Sequence, residues 1–305
     1  MTDFRYQEQI KSEVKAFEHI VDKDMLKCLK SMEMLSKQGR IGFEADHLSV
    51  SELTALENNF PKVEWVSTNL VVERAAAIKD EKEIENVSAA CKIIDEIFQH
   101  IIKLIKPGMT ENEISAEISY RSKLKGSEKD PFVPIIASGW RSALPHGISS
   151  SKPIESGDLI VLDFGATVNG YAGDMTRTVV VGEPNEKQRE IYSAVLGAQE
   201  AAIDASTDGI TGAELDAVAR DHINDLQFGE YFGHALGHGL GLSVHTWPRV
   251  SEANKEQLLA GMIVTIEPGI YIPGFGGVRI EDNILLTGEK CINLTGSAKE
   301  FISVG

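Results

Sequence analysis

The sequence predicts an α+β protein in which helices cover a strongly curved, mostly antiparallel sheet. Helical spacing of apolar residues dominates up to about residue 130, whereas glycine-rich, β-forming segments dominate the remainder of the 305 residues. In this second part, two apolar strands each carry one acidic residue, and each is followed by a turn and another acid-bearing strand. Because side chains alternate between the two faces of a strand, we expect both strand pairs to direct their acids toward the interior.

The N-terminal part is expected to form a small α/β domain without catalytic residues. Its expected helices are 7–17, 25–37 and 48–58, and its expected strands are 41–44 and 63–72. We place the domain boundary at residue 73, so that the two expected domains are 1–73 and 74–305.

Two helices are expected at the start of the second domain. A charged stretch leads into a long helix, which Pro107 and Gly108 end because proline cannot continue a helix and glycine favours its C-terminus. Thr110 and Glu113 have the spacing of a capping box, in which each side chain bonds a free backbone N–H of the first turn. The next helix should therefore begin at this threonine.

The first acid-bearing strand pair has a strong hairpin signal at Asn169 and Gly170. A two-residue turn there places Gly165 opposite Asp174, so Asp163 lies on the same face as Asp174. Two carboxylates inside an apolar hairpin repel each other and lose hydration, so we expect a cation between them. The alternative is that both acids lie on the exposed face of an edge hairpin.

The second strand pair repeats this arrangement. Residues 262–269 form an apolar segment that carries Glu267, and a glycine-rich loop connects it to residues 278–286. Arg279 and Glu281 are two positions apart, so they face the same side of the return strand. The alternative is a simple ion pair between these two side chains on a solvated face.

Histidines are concentrated between the two strand pairs. His234, His238 and His245 lie within twelve residues and are separated by glycines, and His146 lies in an earlier loop. Neutral imidazole is the commonest metal ligand among side chains, so this density favours a metal site over simple packing. His234 is followed by Ala235 rather than glutamate, which argues against a zinc protease of the HExxH type.

Composition and charge exclude several classes of protein. The chain has 30 Lys and Arg against 46 Asp and Glu, a net charge of −16, which repels nucleic acids and anionic membranes. The polar N-terminus lacks the apolar core of a signal peptide, and no membrane-spanning run is visible. Three widely spaced cysteines offer no disulfide framework. These features predict a cytoplasmic enzyme or small-ligand-binding protein.

Four acids and one histidine on apolar elements suit two divalent cations. Carboxylate and imidazole ligands fit Mn²⁺, Co²⁺, Fe²⁺ or Zn²⁺, and no cysteine belongs to the set. Four carboxylates also balance the charge of two such ions. A metal pair of this kind holds a bridging water as hydroxide and polarises a carbonyl, so hydrolysis is the expected chemistry.

The motifs in this order resemble those of the pita-bread metallopeptidases, the family of aminopeptidase P, prolidase and methionine aminopeptidase. The resemblance covers about residues 74–305. Its seven motifs are Pro145-His146-Gly147, Leu162-Asp163-Phe164-Gly165, Gly173-Asp174-Met175-Thr176-Arg177-Thr178, Gly237-His238-Gly239-Leu240-Gly241, Val244-His245, Thr265-Ile266-Glu267-Pro268-Gly269 and Val278-Arg279-Ile280-Glu281-Asp282.

The resemblance implies a role for each candidate residue. The implied metal ligands are Asp163, Asp174, His238, Glu267 and Glu281. Asp174 and Glu281 would bridge the two ions, and Glu267 would also shuttle a proton. His146 and His245 would position the scissile amide and stabilise the tetrahedral intermediate. Arg279 would hold a ligating carboxylate, and His234 would line the substrate pocket.

The resemblance also implies a fold and an activity. The fold is a pita-bread catalytic domain preceded by a shortened creatinase-like N-terminal α/β domain, since 1–73 is short for that domain. The activity is hydrolysis of the peptide bond before a proline at the second position, as an Xaa-Pro aminopeptidase or dipeptidase. Mn²⁺ is the first expected metal, small peptides with proline at position 2 are the expected substrates, and the chain is expected to form a homodimer.

The sequence leaves three alternatives open. A creatinase-like non-peptidase would usually have lost metal ligands, whereas all five are kept here. A methionine-aminopeptidase-like enzyme would generally lack the N-terminal domain. A structural or interaction protein would have no need of the buried acids.

Overall fold

The computed structural model describes residues 1–31 and 39–305, which form two compact units. The first unit is 1–71 and the second is 72–305. The domain boundary expected at residue 73 lies close to this division and stays a prediction.

The first unit contains short helices and one pair of parallel strands, β1 with β2. Its elements are a 3-10 helix (Phe4–Tyr6), α1 (Gln7–Glu13), α2 (Met25–Ser31), β1 (Arg40–Glu44), α3 (Val50–Asn59) and β2 (Glu64–Thr68). Ser49 caps α3 through a capping box with Glu52. The helix predicted over 7–17 ends earlier, because Val14 is extended. The later part of the helix predicted over 25–37 lies outside the described residues.

The strand predicted over 63–72 is too long at its C-terminal end. β2 stops at Thr68, and Leu70 has a φ of 58°, a left-handed conformation that interrupts an extended strand. Val71 then begins helix α4 (Val71–Ala77) instead of continuing the strand.

Four further helices belong to the second unit. They are α5 (Glu81–Leu104), α6 (Glu111–Leu124), α7 (Glu186–Ala205) and α8 (Gly212–Asp225), and 3-10 helices occupy Gly139–Ala143 and Gly229–Tyr231. Each of the four begins at a complete capping box, including the one predicted at Thr110. The long predicted helix is α5, which starts at its cap Asp80.

The strands of the second unit are mostly antiparallel. They are β3 (Ile135–Ser138), β4 (Leu159–Val168), β5 (Tyr171–Val181), β6 (Gly237–Gly239), β7 (Thr246–Val250), β8 (Ile263–Ile266), β9 (Gly269–Ile272), β10 (Gly276–Arg279), β11 (Asp282–Leu286), β12 (Cys291–Asn293) and β13 (Ser303–Val304). One sheet has the order β13-β5-β4-β3 and another the order β12-β11-β8-β6-β7, while β9 and β10 form a separate two-stranded sheet. Within this unit, β13 with β5 is the one parallel pair among the described strands.

Helix α5 packs closely on the first hairpin, β4 with β5. Its buried side chains recur at helical spacing from Val87 to Ile101, so one apolar face covers the hairpin. Gly173 permits this approach, because a Cβ there would lie 3.0 to 3.1 Å from atoms of α5. The opposite face of the hairpin is left for the acids.

The second predicted strand pair is not one continuous hairpin, which corrects the sequence expectation. β8 pairs with β11, so that Ile266 lies opposite Asp282, and the residues between them form a separate hairpin of β9 and β10. The ladder breaks after Ile266, and Pro268, which has no N–H to donate, lies in the gap before β9.

Candidate metal centre

All of the predicted site residues line one cavity of about 370 Å³ in the second unit. They are His146, Asp163, Asp174, His234, His238, His245, Glu267, Arg279 and Glu281. Arg249 and Tyr271 also line it, and sequence reasoning missed both. Apolar side chains such as Phe132, Val133 and Ile148 complete the wall. The cavity therefore combines an acidic centre with an apolar rim.

The acids come from different strands that packing brings together. Asp163 is on β4 and Asp174 is on β5, opposite Gly165, as the turn signal predicted. His238 is on β6, where the register with β7 is irregular. Glu267 and Glu281 follow the ends of β8 and β10. The broken ladder of the second strand pair therefore places both glutamates just outside regular strands.

Asp174, His238 and Glu281 form a buried cluster whose potential ligand atoms lie within 4.8 Å of one another. His238 Nε2 is 3.3 Å from Glu267 Oε1 and 3.9 Å from Asp174 Oδ2. The Nδ1 of His238 donates to the carbonyl of Gly239 at 3.0 Å. Because this bond occupies Nδ1, Nε2 is the nitrogen that is directed at the carboxylates.

The electrostatics of this cluster fit a bound divalent cation. Burial, together with the neighbouring carboxylates, raises the pKa of Asp174 and of Glu281 well above their ordinary values. Asp174 Oδ1 and Glu281 Oε1 are buried and have no hydrogen-bond partner among the described residues. Such orphaned oxygens are costly unless something binds them. A divalent metal ion held by this cluster would supply the partner that both oxygens lack.

A second set of contacts holds Asp163 and Glu281 in place. Arg279 Nη2 donates to Asp163 Oδ2, and its Nε donates to Thr176 Oγ1 at 3.0 Å. The Thr176 hydroxyl in turn donates to Glu281 Oε2 at 2.7 Å. The role of this threonine was missed, although the hairpin register that pairs it with Asp163 was a usable signal.

His234 is tied to the same arginine through Tyr271. Arg279 Nη1 donates to the Tyr271 hydroxyl at 2.9 Å, and that hydroxyl lies 2.9 Å from His234 Nε2. His234 Nδ1 donates to the carbonyl of Ala235, so Nε2 accepts from the tyrosine. Burial lowers the pKa of His234, which keeps the imidazole neutral.

His146 and His245 lie in the wall of the cavity. The ring of His245 is 4.3 Å from that of His238, centroid to centroid, in an edge-on arrangement. Partial desolvation of the ring, assisted by His238, lowers the pKa of His245, so its imidazole is neutral at pH 7. His245 remains an exposed residue and can therefore reach a ligand in the cavity.

An ion pair on α8, between the buried Asp216 and the half-buried Arg220, supports the segment before His238. Asp216 and Arg220 form a two-point contact at 2.7 and 3.0 Å. Arg220 donates to the carbonyls of Phe232 and His234, and Asp216 accepts the backbone N–H of Leu236. This pair therefore orients the chain that leads into the metal centre.

We expect Arg220→Met to lower kcat/KM and metal affinity by about ten- to a hundredfold, the usual range for partners that orient a ligand. Titration of metal into metal-free protein, together with steady-state kinetics, measures both. Arg189→Met is the matched control, since Arg189 is exposed and its one ion pair among the described residues is with Glu183. An Arg220→Met protein with a lower melting temperature but unchanged kinetics would argue against this role.

Comparison with known proteins agrees with the geometry. A model of metallopeptidase family M24 matches residues 85–288, and a model of the creatinase/prolidase N-terminal domain matches residues 1–78. An Xaa-Pro dipeptidase from Pyrococcus horikoshii is 51% identical over 239 residues, which are 78% of this chain and 68% of the relative.

Solved structures show the same similarity. An Xaa-Pro dipeptidase from Bacillus anthracis has a TM-score of 0.94 and 43% identity, covering 99% of this chain and 85% of that one. An X-Pro aminopeptidase from Thermotoga maritima has a TM-score of 0.92 and 40% identity, covering 99% of this chain and 86% of that one. These matches confirm the expected pita-bread fold.

None of the helices among the described residues has the length and apolar character needed to cross a membrane. The motif order, the buried acid and histidine cluster and the family matches all agree. The protein is a peptidase of a family that works with divalent metal ions. The chain belongs to metallopeptidase family M24 and carries an N-terminal region of the creatinase/prolidase type.

Proposed function

We propose that this protein hydrolyses the peptide bond before a proline at the second position of small peptides. The observation that carries the proposal is the buried cluster of Asp174, His238 and Glu281, with two carboxylate oxygens that lack partners. The names of the similar proteins, which are Xaa-Pro dipeptidases and an X-Pro aminopeptidase, support the choice of substrate.

Two divalent ions are part of this proposal. Asp163, Asp174, His238, Glu267 and Glu281 are the proposed ligands. Asp174 and Glu281 would be shared, because each has a buried oxygen free to bind in addition to its other contacts. Mn²⁺ is the proposed ion, and Co²⁺, Fe²⁺ and Zn²⁺ suit the same donors. When bound, the pair supplies a water-derived nucleophile at neutral pH and polarises the amide carbonyl.

The side chains of this protein supply the remaining steps. Glu267, which is held by Thr265 at 3.1 Å, takes the proton from the attacking water and delivers it to the leaving nitrogen. His245 is neutral and donates its N–H to the oxygen on which negative charge develops. His146, on the same cavity wall, orients the scissile amide.

Arg249 is a candidate for binding the carboxylate of the leaving proline. It lies opposite His238 in the register of β6 with β7, so both side chains lie on the same face. Its exposed guanidinium has no ion pair among residues 1–31 and 39–305, and it lines the cavity. In an Xaa-Pro dipeptide the free carboxylate lies one residue beyond the scissile bond. We therefore propose a preference for dipeptides.

The test measures hydrolysis of Leu-Pro, Leu-Pro-Gly and Met-Ala-Ser with added Mn²⁺ or Co²⁺. We expect Leu-Pro to be cleaved fastest and the methionine peptide to resist cleavage. Rapid cleavage of the methionine peptide with no cleavage of either proline peptide would contradict the proposed function.

Arg249→Met tests the dipeptide preference. We expect it to lower kcat/KM for Leu-Pro by about ten- to a hundredfold, the loss typical of a hydrogen bond to a charged group. Leu-Pro amide, which has no terminal carboxylate, should be cleaved equally by both proteins. A loss of the same size on both substrates would assign Arg249 a role other than carboxylate binding.

The homodimer and the cytoplasmic location stay predictions. The location rests on three cysteines that form no disulfide in the described structure. Sedimentation velocity of the full chain measures whether it is a monomer or a dimer in solution.

A further inference from the structure

A second cavity, of about 290 Å³, adjoins the metal centre in the same unit. The two cavities share His245 as a wall. Pro131 lines the second cavity and Phe132 lines the first, so these two neighbouring residues also separate them. Both pack over Gly165, where a Cβ would lie 2.5 Å from the proline and 3.2 Å from the phenylalanine. Apart from His245, the residues that line the second cavity have no part in the proposed reaction.

The hairpin that carries the acids continues into this second cavity. Asp163, Gly165 and Thr167 are alternate residues of β4 and therefore share one face. Asp174 lies opposite Gly165, and Ala172 lies opposite Thr167. At a rise of about 3.4 Å per residue, the threonine lies roughly 7 Å further along the strand than Gly165. The second cavity therefore lies next to the acidic centre, two residues further along the same face of β4.

The lining of the second cavity is polar and carries a cation. Lys129 is exposed, and its ammonium has no ion pair or hydrogen bond within the described part of the chain. The buried Thr167 hydroxyl also lacks a partner there, and Ser243 adds a second hydroxyl. The adjacent acid, Glu128, accepts the backbone N–H of Gly170 and does not line the cavity. A carboxylate is the group that best complements this lining.

We propose that the second cavity binds the side chain of the substrate's N-terminal residue and favours an acidic side chain there. This inference rests on the proposed function. Arg249 lies in the first cavity and not in the second, so the leaving proline and its carboxylate are assigned to the first. Proline has no side chain that extends beyond its ring. The side chain of the N-terminal residue is therefore the part of the dipeptide that remains to enter the second cavity.

Glu-Pro and Gln-Pro are a matched pair of substrates, because they differ by one charge at nearly constant size. We expect the wild-type kcat/KM to be about two- to fivefold higher for Glu-Pro, the range of an exposed ion pair. Lys129→Met should remove this preference, and Lys129→Glu should reverse it. Lys106→Glu is the matched control for net charge, since Lys106 is exposed and lines neither cavity.

The outcomes separate this inference from the proposed function. If Leu-Pro, Glu-Pro and Gln-Pro are all resistant, the proposed function fails and the inference fails with it. If Leu-Pro is cleaved but the Glu-Pro to Gln-Pro ratio is the same in wild type and both Lys129 variants, only the inference is overturned. It is also overturned if Lys129→Glu instead changes the ratio between Leu-Pro-Glu and Leu-Pro-Gln, which would assign the cavity to the residue after proline.

Discussion

Asp174→Asn is expected to abolish hydrolysis and remove most of the bound metal. Asp174 lies in the buried cluster with His238 and Glu281, and its Oδ1 has no partner among the described residues. An amide offers one acceptor oxygen and a donor NH₂ group, so it cannot supply two anionic oxygens to a pair of ions. Elemental analysis of protein purified without chelator, combined with rates on Leu-Pro, measures both losses.

Metal-free Asp174→Asn should nevertheless be folded. The pKa of Asp174 is raised in the folded state by burial and by Asp163, so folding favours its protonated form. The stability that this group contributes is therefore present at low pH and is lost as the pH rises above the ordinary carboxyl range near 4. Without metal, the variant should melt at or above the wild-type temperature at pH 7.

The control is Asp204→Asn, because Asp204 lies on the exposed side of α7. This variant should keep its bound metal and its rate of Leu-Pro hydrolysis. Two metals per chain and near-normal rates in Asp174→Asn would contradict the bridging assignment.

His245→Ala is expected to lower kcat by at least about a hundredfold, the scale for losing a positioned donor to the transition state. Both metals should stay bound, because His245 contacts the ring of His238 without being one of the proposed ligands. His238→Ala should instead lose metal as well as activity. The comparison of these two variants separates transition-state stabilisation from metal binding.

The alternative for His245 is a purely structural histidine. In that case His245→Ala would lower the melting temperature and leave kcat per metal-loaded molecule unchanged. Metal content, melting temperature and kcat measured on both variants distinguish the two roles. The exposure of His245 and its position between the two cavities favour contact with substrate.

The sequence alone determined the features that depend on neighbouring residues. The turn at Asn169 and Gly170 has positive φ values of 49° and 82°, which suit a two-residue hairpin, and this turn sets the register. Gly165 therefore lies opposite Asp174, as predicted. The capping box at Thr110 was predicted for the same reason, since its hydrogen bonds join residues within one helical turn.

Residue propensities and side-chain periodicity did not predict the two places where a strand is interrupted. Val71 and Val72 have strand propensity, yet the left-handed Leu70 ends the extended segment and a helix follows. The second strand pair reads as one hairpin, yet Pro268 splits it into two ladders. Both breaks leave the periodicity of the side chains intact, so the pattern alone does not reveal them.

Only the tertiary structure decided which side chains meet. Arg279 binds Asp163 and Thr176, which are 116 and 103 residues away in the chain. Asp216 and Arg220 lie outside the seven sequence motifs, yet they support the segment before His238. Contacts of this kind depend on how separate sheets and helices pack, because the distances between their atoms are set by the whole core. Turns and caps are determined within a few residues, and for that reason the sequence predicts them.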